Sequence, residues 1–171
     1  GRASATIPHP SKRKASLHIK EAHDNNLKFN YLLNATCLDN SEFTRKGQKK
    51  LRKLLDWLTD LKVDAITVSI PYLLEIIKKQ YPHFEVNVST QVGVDTVQRA
   101  KYWEGLGADK ITLSLVDINR DFKLLELIRR SVKIRLQLIA NTPCLYGCSS
   151  YHYHANMTSH TSQNNHRCKG L

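Results

Sequence analysis

The sequence has little of what marks fibrous, disordered or membrane-spanning chains. Only 7 Gly and 5 Pro occur in 171 residues, which excludes collagen-like and low-complexity classes. With 41% hydrophobic and 24% charged residues, the chain has the material for one ordinary domain with a packed core. Long apolar runs are missing as well. The longest, such as residues 66–70 and 136–140, are strand-sized, whereas a membrane helix needs about 20 apolar residues in a row. No membrane insertion is expected. A secretory leader pattern and an initiator Met are also missing. We read the sequence as a piece of a longer, cytoplasmic protein.

Acidic residues are the next shortage. Asp and Glu number 15 against 26 Lys and Arg, a net charge of +11. The excess is spread out: residues 1–30 hold 6 basic and 2 acidic residues, 31–148 hold 18 and 13, and 149–171 hold 2 and 0. Such a surface favours polyanions, RNA above all, through phosphate neutralisation and counterion release. A basic surface with no dedicated partner carries the same charge. If RNA binds, Arg13, Lys49, Lys50, Arg129 and Arg130 are the residues we expect to hold its backbone.

What is present is alternation. Residues 12–25 place Ala15, Leu17, Ile19 and Ala22 among charges, the pattern of a helix. Residues 28–34 read as a strand. Over 43–61, Leu51, Leu54, Leu55, Leu58 and Leu61 fall on one helical face, with Lys and Arg on the other. Strands are expected at 65–69, 86–89, 110–114 and 134–140, and helices at 71–80, 94–105 and 119–131. Pro71 stands where a first helical turn tolerates it. Strands alternating with helices imply a parallel sheet with covering helices and right-handed crossovers. A doubly wound sheet and part of an eight-stranded α/β barrel both satisfy this order. No Gly-rich dinucleotide fingerprint follows any strand, and five strands cannot close a barrel that typically takes about 250 residues. The expectation is a partial TIM-like (β/α) barrel over 1–148, with N-terminal strands missing, followed by a His- and Tyr-rich polar segment over 149–171.

In either architecture, chemistry gathers at the carboxyl ends of the strands. Those ends carry Asn34, Cys37, Ser69, Ser89, Gln91, Ser114, Asn141 and Cys144. A single Ser or Asn there, Ser69 or Asn119 for example, reads most simply as a helix cap. Cys37 and Cys144 hold equivalent places on different strands and are expected to approach each other. Cys144 and Cys148 flank a Gly that permits a tight turn. Their gap is not the two-residue spacing of zinc fingers. Zinc, an iron–sulfur cluster and unligated thiols all satisfy it. His152, His154 and His160 follow closely, alongside Tyr151 and Tyr153. His152 and His160 suit acid–base or metal-binding work, and a solvated surface segment is the plainer reading. Glu42 is the one carboxylate near a strand end, and no nucleophile-elbow pattern occurs.

The run Asn141-Thr142-Pro143-Cys144-Leu145-Tyr146-Gly147-Cys148, with Tyr151-His152 and Ser159-His160 after it, resembles peptidase family U32, the collagenase-like peptidases. Residues 29–34, 68–74 and 88–91 agree in order, so the likeness spans roughly residues 15–163. The resemblance implies a TIM-barrel-like domain and two activities. One is peptide hydrolysis, after which the family is named. The other is oxygen-independent hydroxylation of transfer RNA, ribosomal RNA or a quinone precursor by proteins holding a four-iron four-sulfur cluster on four Cys, some with prephenate as hydroxyl source. Carried onto this chain, Cys144 and Cys148 match the paired cluster cysteines, Cys37 is a third ligand, and Cys168 is the weakest match for a fourth. His152, His160, Asn34 and Gln91 are the catalytic candidates. RNA or a peptide is the implied substrate, and a second family member a possible partner subunit. The chain departs from better-known members in lacking a His-Gly-Ala segment before the first paired Cys, and in its shorter gap to the second.

Overall fold

The computed structural model describes residues 10–142 and 144–163. The elements run α1 (Lys12–Asp24), β1 (Asn30–Leu33), α2 (Arg45–Asp60), β2 (Ala65–Val68), α3 (Pro71–Gln80), β3 (Glu85–Val88), α4 (Val97–Gly105), β4 (Lys110–Thr112), α5 (Phe122–Ser131), β5 (Arg135–Gln137) and α6 (Tyr151–Thr161). Short 3-10 turns at Ser41–Phe43 and Thr90–Val92 follow β1 and β3. Three helices start two or three residues later than their apolar patterns suggest, because Thr44, Thr96 and Asp121 cap them. Their side chains accept the amides of Gly47, Arg99 and Leu124. Pro71 opens α3 at its first turn. Ser69 and Asn119 cap nothing: the Ser69 hydroxyl donates to the Asn34 carbonyl at 2.9 Å, and the Asn119 amide to the Ile139 carbonyl at 2.9 Å.

All five strands are parallel and lie in the order β1-β2-β3-β4-β5. A doubly wound sheet reverses its strand order at a switch point. Here each crossover steps the same way, as in a barrel, so the sheet is a partial TIM-like barrel with covering helices. One face is apolar. Leu33, Val68, Val88, Ile111 and Leu136 share a row across the strands, with Tyr31, Ile66 and Val86 below them. Ile66, Val68, Val86, Val88 and Ile111 are fully buried against helix residues such as Leu55, Leu58, Leu74, Ile77 and Ile128. Each such side chain contributes about 1.5–3 kcal/mol of burial.

The other face is polar, although barrel interiors are ordinarily filled by bulky branched residues. One row is Leu32, Thr67, Asn87, Lys110 and Arg135; Thr112 and Gln137 lie in the next. At the amino ends, Glu85 pairs with Arg135 at 2.7 Å and Lys110 at 3.9 Å. The strands are latched there by carboxylates. Asp64 accepts the Phe29 amide at 2.7 Å and faces His23 at 3.0 Å. Asp109 accepts the Val86 amide at 2.7 Å and pairs with Lys78 at 2.6 Å.

The polar segment expected over 149–171 holds a helix within its described length. Residues 151–161 form α6, which lays Tyr151, Ala155 and Ser159 inward as one buried stripe. The Tyr151 hydroxyl donates to the Thr90 carbonyl beyond β3 at 2.9 Å. Eight residues on, Ser159 Oγ accepts the Thr36 amide beyond β1 at 2.8 Å. At about 1.5 Å per residue, the helix thus reaches some 12 Å across the carboxyl ends of the strands.

Candidate functional site

Three strand ends converge under α6. Asn34 Nδ2 donates to Ser89 Oγ at 3.4 Å while its carbonyl accepts from Ser69, so the tops of β1, β2 and β3 are cross-linked by side chains. Gln91 begins its turn with its amide on Ser89 Oγ at 3.2 Å. Asn34, read as a candidate from its strand end, thus meets Ser89 through its side chain, while Gln91, the other such candidate, reaches it through its backbone amide. Below them lies Asn87, 2% exposed, whose amide nitrogen and oxygen both lack a hydrogen-bond partner among the described residues. Gln91 Oε1 is buried without a partner too. Leaving such a group unpaired costs about 1–3 kcal/mol, a cost that a polar ligand would remove. The sequence reading passed over Thr67, Asn87 and Thr112. Its signal was the period-two alternation of Thr67-Val68-Ser69, Asn87-Val88-Ser89 and Thr112-Leu113-Ser114, a repeat at three successive strand ends.

The cysteine loop approaches from β5. The Cys144 amide donates to Thr142 Oγ1 at 3.1 Å. Gly147, at φ 66°, takes the left-handed turn and donates its amide to the Val116 carbonyl at 2.6 Å. The Cys148 carbonyl then accepts the Tyr151 amide that starts α6. Cys37, Cys144 and Cys148 are half-buried, and no disulfide joins them to one another. Cys144 lines a cavity of about 350 Å³ with Leu115, Asn119, Arg120, Thr142 and Tyr146. Cys168 lies outside the described residues.

The histidines separate by role. The His152 ring rests on Gly93: a Cβ added there would stand 2.7 Å from its Cε1, and Gly93 has φ 70°. His154 is half-buried, and its carbonyl accepts the Thr158 hydroxyl. His160 lies in the last turn of α6 with its Nδ1 3.6 Å from Asp39 Oδ1. The Cys37 sulfur completes this group, with one ligand atom from each residue within 4.8 Å of the others. Neither Cys144 nor Cys148 belongs to it. Asp39 was not anticipated, because nothing in its sequence neighbourhood links it to His160. Glu42 is 7% exposed, with Oε2 unpartnered among the described residues.

The basic residues also differ. Arg45, Lys46, Lys49, Lys50, Arg52 and Lys53 form one exposed face of α2, and Arg13 is exposed on α1. Arg129 directs its guanidinium to the carbonyls of Val132, Lys133 and Ile134, and Arg130 pairs with Glu126. No helix among the described residues is long and apolar enough to cross a membrane.

Known proteins agree with this architecture. A solved structure, that of the U32 peptidase Mk0906, superposes with a TM-score of 0.82 at 29% identity, over 92% of this chain and 64% of that one. "Uncharacterized protease MJ1657" of Methanocaldococcus jannaschii is 31% identical over 165 residues, 96% of this chain and 49% of its own length. "tRNA hydroxylation protein P" of Haemophilus influenzae is 28% identical over 96 residues, 56% of this chain and 20% of its own. The chain thus spans half or less of the curated relatives it matches. The sequence pattern described as Peptidase family U32 matches residues 12–170, and the chain belongs to that family.

Proposed function

We propose that this chain forms the cofactor-bearing part of an iron–sulfur enzyme that hydroxylates RNA without molecular oxygen. The observation that carries the reading is the pair Cys144 and Cys148, half-buried on a loop pinned at the carboxyl end of β5. Soft thiolates suit a four-iron four-sulfur cluster, which needs four such ligands. Cys144 and Cys148 are the candidates for two of them, Cys37 for a third and Cys168 for the fourth; the Cys37 sulfur also lies within 4.8 Å of donor atoms of Asp39 and His160. When bound, the cluster supplies one-electron chemistry. The chain's own residues do the rest. Asn34, Asn87 and Gln91 offer hydrogen bonds to a small polar co-substrate, for which prephenate is the candidate hydroxyl source. His152, seated on Gly93 at the mouth, carries a proton. The exposed basic face of α2, with Lys49 and Lys50, takes the RNA backbone. The name of the Haemophilus influenzae relative supports the substrate class.

The test is an anaerobic assay on bulk RNA, with nucleosides digested and weighed for the gain of one oxygen. The wild-type protein is expected to add it and the Cys144→Ala variant to add none. An unchanged nucleoside profile with cluster-loaded protein would contradict the reading. Peptide hydrolysis is the second reading. It has behind it the protease name of the Methanocaldococcus jannaschii relative and the thiol, imidazole and carboxylate gathered at Cys37, His160 and Asp39. Gelatin cleavage lost on Cys37→Ser would favour it.

A further inference from the structure

We infer that the cavity between the β4–α5 loop and the cysteine loop takes one nucleotide of a single-stranded RNA, with Tyr146 against the base, Asn119 on the base edge and Arg120 on the phosphate. The inference rests on the RNA reading above and names the place of the reacting nucleotide. The cavity measures about 350 Å³, the small end of the range for ligand sites. It lies at the carboxyl ends of β4 and β5, where barrels place their chemistry, and Cys144 stands in its wall. A duplex does not fit such a space, so the nucleotide has to be unpaired or flipped out.

The walls are fixed before a ligand arrives. The Gly147 amide donates to the Val116 carbonyl at 2.6 Å and Asn119 Nδ2 to the Ile139 carbonyl at 2.9 Å, so the two loops are tied to each other twice. A carbonyl only accepts, so the second bond identifies the nitrogen of the Asn119 amide. The atom left over, Oδ1, is buried with no hydrogen-bond partner among the described residues. An orphaned acceptor repels a carboxylate or phosphate at that depth and calls for a ligand N–H, as the edge of a nucleobase presents. Thr142 Oγ1 accepts the Cys144 amide at 3.1 Å, which leaves its own proton for an acceptor on the base. Leu115 and Ile139 give apolar wall, and Tyr146, 56% exposed, is the one aromatic side chain among the described lining residues. Bases of any identity stack on such a ring. Arg120 is exposed and, unlike Arg129 and Arg130, pairs with no carbonyl or carboxylate among the described residues. Its guanidinium is available to a phosphate outside the cavity while the base fills it.

The test is binding and photo-crosslinking of a short single-stranded RNA carrying thiouridine to the anaerobically purified protein. Crosslinks are expected in the peptide that holds Tyr146 as well as on the basic face of α2. Tyr146→Ala should weaken binding about tenfold at an unchanged salt slope, and Tyr146→Phe should restore it to within about twofold. Arg120→Ala should lower the slope of log K against log salt by about 0.7, and Arg120→Lys should restore it. A duplex of the same sequence should give no crosslink at Tyr146 and bind indifferently to Tyr146→Ala. Both side chains are exposed, so these substitutions test the site and not the fold. Crosslinks confined to α2, with binding indifferent to Tyr146→Ala and Arg120→Ala, would overturn the subsite and leave the RNA reading standing. No binding of single-stranded RNA by the wild-type protein at low salt would overturn both.

Discussion

Gly93 shows how a single residue sets the mouth of the barrel. Its φ of 70° is left-handed and its missing Cβ is the space that the His152 ring occupies. Gly93→Ala should cost about 1–2 kcal/mol for the backbone alone and push His152 off its seat, lowering turnover more than cluster content. A thermal melt, an iron assay and a turnover assay on the same variant separate the effects on stability, cluster content and activity. Asp64 is the counterpart at the opposite end. Burial pushes its carboxyl up, but the Phe29 amide, His23 and Lys28 together outweigh that and hold it below its ordinary value of 3.8. A carboxyl depressed in the folded state stabilises the fold above its unfolded value, and that contribution fades as pH falls through the folded one. Denaturant midpoints should therefore drop as pH falls below 3.8 in the wild type. Asp64→Asn should remove this component of the slope, and an unchanged slope would refute the latch.

At the scale of elements, α6 is the one the sequence reading left out, and the reason is physical. Its inward stripe is Tyr151, Ala155 and Ser159. Two of these are small and one is polar, so the helix buries little apolar surface and shows no strong amphipathic period. It is held by specific hydrogen bonds instead. Tyr151→Phe removes the bond to Thr90 and should cost about 1 kcal/mol. Hydrogen exchange should show α6 amides opening sooner in this variant while β2 and β3 stay protected. Helix α2 was legible throughout, since Leu51, Leu54, Leu55, Leu58 and Leu61 mark its face directly. Five parallel strands and their helices were legible too. Their sequential order followed from the partial-barrel expectation, which rested on the missing dinucleotide fingerprint and the family resemblance, because local periodicity alone does not encode strand neighbours. The polar strand ends were seen one at a time. Their cross-linking through Ser89, and the meeting of Asp39 with His160, came only with the fold.

For the whole molecule, the net charge of +11 becomes informative once the fold sorts it. The basic face of α2 is free of the backbone bonds that occupy Arg129. Lys49→Ala with Lys50→Ala should reduce the salt dependence of single-stranded RNA binding, lowering the slope of log K against log salt by about 1.4. Arg129→Ala should instead lower stability and leave that slope nearly unchanged. Filter binding over a range of salt concentrations decides between them.

The central claim is that Cys144 and Cys148 ligate an iron–sulfur cluster at the mouth of the barrel. Its most direct test is anaerobic purification of the protein and of Cys144→Ala, reading visible absorbance with iron and acid-labile sulfide. The account predicts a brown protein with matching iron and sulfide, both lost in the variant. A colourless, iron-free wild-type protein under those conditions would contradict it.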